Sequence, residues 1–181
     1  MARTLIVLGS GGHTAEMLVL LSRMNPDTHG PRSYIVAATD AMSEKKAITA
    51  EQSRSETAPD KAFDVHRIPR SREVGQSYIT SVWTTLVALY AAFALVWTLR
   101  PQLVLVNGPG TCIPICVATL ALRMFARRKG KLVFVESIAR VQTLSLSGKI
   151  LYYLHMTDLF FVQWPVLQHR YPRTRYCGRL L

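Results

Sequence analysis

Apolar residues fall into short uninterrupted runs, separated by longer stretches in which apolar positions recur at helical spacing. Runs without polar alternation are typical of strands that are buried on both faces of a parallel sheet. The uninterrupted runs predict buried strands at Leu5–Gly9, Tyr34–Ala38, Leu103–Val106, Leu132–Val135 and Leu159–Val162. At Phe63–Ile68 apolar and polar residues alternate, which predicts a less buried strand. Helices alternating with such strands indicate an α/β fold with a doubly wound parallel sheet.

The predicted helices follow the strands with short connections. Glu16 is expected in the first turn of the first helix, where a carboxylate favours the helix dipole. Asp40 or Ser43 can cap a second helix that runs through Ala50, and the polar stretch Glu51–Lys61 is expected to be a flexible loop. Two later helices are predicted at Ile113–Phe125 and Ser147–His155.

The stretch Val74–Leu99 holds no charged residue and is long enough to be taken for a membrane span. A single span here would place the later strands across the membrane from the first three, so we expect this helix to lie on one leaflet or inside the protein. Trp83, Tyr90 and Trp97 recur every seven residues and predict an aromatic, membrane-facing side. Small residues on another side, Thr85, Ala88 and Ala92 together with Leu95, are suited to packing on the sheet. The alternative is a core helix of a larger assembly.

The composition narrows the class of partner. The 181 residues suit one domain, and a formal net charge of +11 with a pI near 10.1 indicates an anionic partner. Nucleic acid is not expected, because the basic residues form short clusters without a reader motif. The cysteines are odd in number and lack metal-ligand spacing, so neither a disulfide framework nor a zinc site is predicted.

Polar residues stand where the predicted parallel strands end, which is the edge at which doubly wound sheets bind ligands. They are His13, Asp40, Asn107, Glu136 and Gln163. Two glycine-rich turns start there and offer backbone N–H groups to an anion. The predicted phosphate- and substrate-binding set is Ser10, Gly11, Gly12, Asn107, Gly108, Gly110, Ser137 and Arg140. His13 and Glu136 are alternative general bases.

Several chemistries are excluded because their residues are missing. The sequence has neither a nucleoside-triphosphate P-loop nor the G-x-S-x-G turn of α/β hydrolases. It also has no D-x-D pair to hold a metal on a nucleotide diphosphate. No metal and no cofactor are therefore predicted.

The segments LGSGGHTAEM, ATDAMS, NGPGTCIP, VESIARV and LSGKILY, with the Gly-Arg-Leu-Leu end, resemble one family over nearly the whole chain. This family is the membrane-recruiting subunit of the eukaryotic UDP-N-acetylglucosamine transferase, asparagine-linked glycosylation protein fourteen. A more distant resemblance is to the amino-terminal half of the bacterial glycosyltransferase MurG. The resemblance implies a Rossmann-like, acceptor-side half of a GT-B glycosyltransferase at residues 1–175.

The resemblance also implies the partners. Protein thirteen of the pathway supplies the donor-binding half, and the pair transfers GlcNAc from UDP-GlcNAc to dolichyl-diphosphate-GlcNAc at the cytosolic face of the endoplasmic reticulum membrane. Such a transferase is inverting and metal-independent, and this chain alone is expected to be inactive. Residues 176–181 form the docking tail, with Gly178, Arg179, Leu180 and Leu181 as partner-binding residues. Relatives commonly carry an amino-terminal membrane anchor, which is not seen ahead of the first strand here, so attachment by a spanning helix stays open.

Two readings compete with a catalytic subunit. The chain could act only as a recruiter and scaffold, with every catalytic group on its partner. It could instead be a stand-alone nucleotide-binding Rossmann protein.

Overall fold

The structure, a computed structural model, describes residues 1–25, 27–55, 63–70, 78–108, 110–126 and 130–181. Its strands are β1 Thr4–Val7, β2 Arg32–Ala37, β3 Phe63–Ile68, β4 Leu103–Val106, β5 Lys131–Val135, β6 Leu159–Val162 and β7 Arg175–Tyr176. Its helices are α1 Gly12–Ser22, α2 Ala41–Ser55, α3 Tyr78–Leu99, α4 Cys112–Phe125, α5 Leu146–Tyr153 and α6 Pro165–Arg170.

The seven strands form one sheet in the order β3-β2-β1-β4-β5-β6-β7, and every neighbouring pair is parallel. The chain moves outward from β1 to β3 and then returns through α3 to start β4 on the other side of β1. The connections after β1 and β4 therefore leave the sheet edge in opposite directions. This is the topological switch point at which doubly wound sheets bind their ligands, and the prediction of such a sheet is confirmed.

Two apolar clusters cover the two faces of the sheet. Residues of α1 and α2, such as Met17 and Ala47, pack on one face. Residues of α3 to α6, such as Val96, Ile115 and Leu167, pack on the other. The strands lie between these layers, which is why their sequences are continuous apolar runs rather than alternating ones.

Apart from shifts of one or two residues at the ends of elements, the sequence-based elements differ from the structure at three places. Helix α2 continues to Ser55, so the predicted loop is wrong for residues 51–55; the remainder of Glu51–Lys61 lies outside the described residues. Glu51 is buried, pairs with Arg32 at 3.1 Å and accepts a hydrogen bond from the hydroxyl of Tyr34. These contacts hold the last turns of the helix against β2. The other two places are α6 and β7, which were not predicted because both are short.

The long apolar helix is confirmed as α3 over Tyr78–Leu99, and its predicted start at residues 74–77 lies outside the described residues. Ala88 and Ala92 are buried, and Leu95 packs against the core. Thr85 was expected on this packed side but is exposed. Trp83 and Tyr90 are 71% and 79% exposed, and Trp97 is 48% exposed. Within the described residues, one helix, at Val82–Leu99, is long and apolar enough to cross a membrane.

Because β3 and β4 belong to the same sheet, α3 connects two halves of one domain. The sequence argument that this helix does not divide the sheet is therefore confirmed. Its outward face remains an apolar and aromatic surface.

Candidate functional site

The first glycine-rich turn connects β1 to α1 and is fixed from below by hydroxyl groups. Thr14 donates a hydrogen bond to the carbonyl of Gly9, and Ser43 Oγ lies 3.1 Å from the same carbonyl. Gly11 precedes α1 with φ +62°, a left-handed conformation that glycine adopts without strain. An added Cβ at Gly11 or Gly12 meets no heavy atom within 4 Å. The upper side of this turn is therefore open to a ligand.

Polar groups that follow β2 and β3 stand beside this turn. Arg70 Nη2 donates to Ser10 Oγ at 3.1 Å. Asp40 accepts from the backbone N–H of Ser43 at 3.0 Å and so caps α2, as predicted. Burial works to raise the pKa of Asp40, but hydrogen bonds from Ser43 outweigh it and hold the pKa below its usual value. Arg70 thus adds a cation next to the turn. The sequence analysis did not include Arg70 among the site residues.

The second turn, after β4, meets the first across the switch point, and we call the space between them the crevice. His13 Nδ1 lies 3.0 Å from Asn107 Oδ1, and the His13 side chain is 36% exposed. Gly108 has φ +61°, and a Cβ there would lie 2.7 Å from His13 Cε1. The second turn therefore needs glycine at 108 for two reasons, its backbone conformation and the space that the imidazole occupies.

Glu16 lies beneath the crevice and connects both turns to the end of β5. Its Oε2 accepts from Asn107 Nδ2 at 3.0 Å and lies 3.4 Å from His13 Nδ1. Its Oε1 accepts from Ser137 Oγ at 2.7 Å and from the Ile138 N–H at 3.2 Å. The sequence analysis placed Glu16 in the first turn of α1, where it would favour the helix dipole. This prediction is wrong, because α1 begins at Gly12 and Glu16 lies beyond its first turn.

The charges of His13 and Glu16 stabilise each other. Hydrogen bonding to Glu16 raises the pKa of His13 above its usual value, although partial burial of the ring works to lower it. Burial works to raise the pKa of Glu16, but hydrogen bonds from His13, Ser137 and Asn107 outweigh it and lower the pKa to about 2. Glu16 is therefore a carboxylate at neutral pH.

Glu136 lies beneath the β5–α5 loop rather than in the crevice, and it is fully buried. Its carboxylate accepts from Ser137 N–H at 3.1 Å, Ser145 N–H at 2.9 Å and Ser145 Oγ at 3.0 Å. Burial raises the pKa of Glu136, against these hydrogen bonds. A Cβ at Gly148 would collide with the Glu136 carboxylate. The glycine at 148 therefore leaves the space that this carboxylate occupies beside the start of α5.

The remaining predicted site residues are Ser137, Arg140 and Gly110. Ser137 is buried and joins the crevice through Glu16, whereas Arg140 is exposed on the β5–α5 loop. Gly110 is exposed at the second turn, and Pro109 lies outside the described residues. The sequence analysis missed Glu16 as a member of this site. The spacing His13-x-x-Glu16 just after a strand was the available signal, because residues three apart share one face of a helix.

The carboxyl-terminal tail lies against α1 and the end of β6. Arg23 Nη1 donates to the carbonyl of Leu180 at 3.0 Å, and the Leu180 N–H donates to Gln163 Oε1 at 2.8 Å. The Arg179 guanidinium stacks over the Trp164 ring at 4.7 Å. Leu181 packs against the cluster on the α1 face. The tail predicted at 176–181 begins inside β7, which continues the sheet.

No group of three or more His, Cys, Asp or Glu side chains with a metal-binding arrangement occurs within the part of the chain that the structure describes.

Solved structures with a similar fold define the fold class. MurG from Acinetobacter baumannii matches 92% of this chain with a TM-score of 0.62 at 14% sequence identity. A putative UDP-N-acetylglucosamine 2-epimerase from Listeria monocytogenes matches 94% with a TM-score of 0.64 at 15% identity. The chain spans 43% and 41% of those two proteins. The fold is thus a Rossmann-like domain of the GT-B type.

The sequence comparisons define the family. Residues 4–180 match the family described as "Oligosaccharide biosynthesis protein Alg14 like", and the chain belongs to this family. UDP-N-acetylglucosamine transferase subunit ALG14 of Rattus norvegicus is 50% identical over 180 residues, which cover 98% of this chain and 82% of the relative. The protein with the same name in Yarrowia lipolytica is 41% identical, covering 99% of this chain and 81% of the relative. The resemblance inferred from the sequence motifs is confirmed.

Proposed function

We propose that this chain is the acceptor-side subunit of a UDP-GlcNAc transferase, which adds the second GlcNAc to dolichyl-diphosphate-GlcNAc in N-glycan precursor synthesis. The names of its relatives support the subunit role and the donor sugar. The structural observation that carries the proposal is the contact between His13 and Asn107, which joins the two glycine-rich turns at the switch point. The relatives' names give no support to a stand-alone nucleotide-binding role.

A single Rossmann-like domain supplies one wall of a two-domain cleft. The chain spans less than half of the MurG chain that it matches. The missing wall is provided, in this proposal, by the donor-binding subunit, protein thirteen of the pathway. The isolated chain is then inactive, and it binds UDP-GlcNAc productively only within the pair.

His13 is the proposed general base. Its half-exposed imidazole faces the crevice, whereas the Glu136 carboxyl is fully buried under its own loop. In an inverting transfer the acceptor hydroxyl gives its proton to His13 Nε2 while its oxygen bonds to C1 of the donor GlcNAc. The bond from C1 to the diphosphate oxygen breaks, and UDP leaves with the electron pair. Glu136 is proposed to fix the β5–α5 loop, and so to place Ser137 and Arg140.

The diphosphate groups are proposed to lie over the two turns. The N-terminus of α1 carries partial positive charge, and a Cβ added at Gly11, Gly12 or Gly110 would meet no heavy atom within 4 Å, which leaves space for a ligand. Together with the net charge of +11, these dipoles can stabilise a diphosphate without a metal. The proposed transfer is accordingly metal-independent.

The membrane contact is proposed to lie on the exposed face of α3. Trp83, Tyr90 and Trp97 lie on this face, and exposed aromatic residues partition to the headgroup level of a bilayer. Its occupant is the cytosolic leaflet of the endoplasmic reticulum, next to which the lipid-linked acceptor is available.

Reconstitution tests the proposed function. The wild-type chain is assayed alone and with the donor-binding subunit, and the His13→Ala and Glu136→Gln variants are each assayed with that subunit. The substrates are UDP-GlcNAc and a phytanyl-diphosphate-GlcNAc acceptor. We expect activity only in the wild-type pair. Turnover by the chain alone would overturn the two-subunit proposal. Full activity of the His13→Ala and Glu136→Gln pairs would instead support a recruiter without catalytic groups.

A further inference from the structure

Glu16 is the one side chain that we find in contact with both glycine-rich turns and the end of β5 among the described residues. Its two carboxylate oxygens serve different elements. Oε2 faces His13 and Asn107, and Oε1 is held by Ser137 Oγ and the Ile138 N–H. The side chain is only 14% exposed, so these contacts are shielded from bulk water. The carboxylate is therefore fixed in position from the β5 side.

This arrangement orients the amide of Asn107. A carboxylate can accept hydrogen bonds but cannot donate them, so the Asn107 Nδ2 group must face Glu16 Oε2, at 3.0 Å. Asn107 is fully buried, which leaves its Oδ1 directed at His13 Nδ1, at 3.0 Å. Two oxygen acceptors, Asn107 Oδ1 and Glu16 Oε2, thus surround the same ring nitrogen.

The tautomer of His13 follows from these acceptors. Nδ1 must carry the proton in the neutral ring, because both neighbours accept and neither can donate to it. Nε2 then keeps its lone pair on the side away from Asn107 and Glu16. This is the atom that a general base needs to present to an acceptor hydroxyl.

We infer that Glu16 is a positioning residue, which sets the ring orientation and tautomer of His13 directly and through Asn107. The inference rests on the proposed function only in giving His13 the role of base. After His13 Nε2 takes the proton of the acceptor hydroxyl, the imidazolium faces the Glu16 carboxylate, which stabilises the new charge. Glu136, at the end of β5, also acts on His13 through its charge, but from a greater depth.

The Glu16→Gln variant tests this role. The amide keeps the shape of the side chain and an oxygen for Ser137, but it removes the charge and brings a donor towards Asn107 Nδ2. We expect the pKa of His13, measured by NMR titration of the chain alone, to fall. In the reconstituted pair we expect kcat to drop about 10²-fold with little change in KM, and the acid limb of the pH profile to move to lower pH.

Two further variants make the test decisive. Glu44→Gln removes a partly buried carboxylate on α2 that pairs with Arg67 at 2.7 Å, and it should change neither the His13 titration nor kcat. Glu16→Asp keeps the charge but withdraws it by one methylene, so it should lower the His13 pKa by less than Glu16→Gln does. If Glu16→Gln does not fold, the His13 titration of Glu16→Asp provides the test. An unchanged His13 pKa in a folded Glu16 variant overturns the inference. An inactive wild-type pair would instead overturn the proposed function, while the NMR titration would still test Glu16.

Discussion

The Nδ1 atom of His13 lies 3.0 Å from Oδ1 of Asn107, which follows it by 94 positions in the chain. This contact joins the start of α1 to the turn after β4 across the switch point. It directs one ring nitrogen into the protein and leaves the other for the crevice. The charge, the open turns and the base of the proposed transfer are therefore organised around a single histidine.

Replacing His13 with Gln should lower kcat of the reconstituted pair by about 10²–10⁴-fold, the usual contribution of a general base. His169→Gln, at an exposed histidine on α6, is the matched control and should leave the rate unchanged. Steady-state kinetics with the lipid-diphosphate acceptor provide the measurement. A His13→Gln pair within threefold of wild type would rule out His13 as the base.

The rate should also depend on pH, and the protonation of His13 determines the direction of that dependence. The base acts in its neutral form, and its pKa is raised by Glu16. Activity should therefore fall as the pH decreases through a value above the usual histidine pKa of about 6.5. A profile that is flat over this range, measured as kcat/KM in the wild-type pair, would contradict the assignment.

Gly108→Ala should reduce activity strongly, because the new Cβ would occupy the position of the His13 ring and the backbone has a positive φ. Gly12→Ala is the matched comparison for folding, since a Cβ there meets no heavy atom within 4 Å. We expect the Gly108 variant to lose kcat and some thermal stability. The Gly12 variant should keep its melting temperature and, if phosphate approaches there, show a raised KM. Equal kcat in the Gly108 variant and wild type would show that the ring has another position available.

The sequence predicted the sheet better than the site, for a physical reason. Buried strands such as Leu103–Val106 and the turn residues that follow them are local signals, and their order determines the switch point. The directions of side chains at that edge depend on contacts between distant segments. Glu136 turned inward because Ser137 and Ser145 offer it donors, and Glu16 reached the end of β5 although it follows β1. Neither contact has a periodicity that the sequence could show.

Changing Trp83, Tyr90 and Trp97 to Ser should release the protein from anionic liposomes and leave its circular dichroism nearly unchanged. All three side chains are exposed on α3, so their removal creates no core cavity. Tyr153→Ser, at another exposed aromatic residue, is the control and should not affect binding. Co-sedimentation measures the effect. Undiminished binding by the triple variant would place the membrane contact on a different surface.

Removing Arg179–Leu181 should abolish co-purification with the donor-binding subunit, and with it activity, while membrane binding persists. We propose that these residues, with Gly178, form the docking site of that subunit. Arg23, Gln163 and Trp164 hold the tail in one conformation, so less entropy is lost when a partner binds. Leu180 and Leu181 are both partly exposed, and burial of their remaining exposed surface in a pocket could contribute about 1–2 kcal/mol before ordering costs. Arg23→Gln keeps the tail sequence but loosens its backbone, so it should weaken binding less than the truncation does. Cys177→Ser, at an exposed neighbour, is the control. If the truncated chain retains wild-type affinity for its partner, the interface must lie on the crevice side of the sheet.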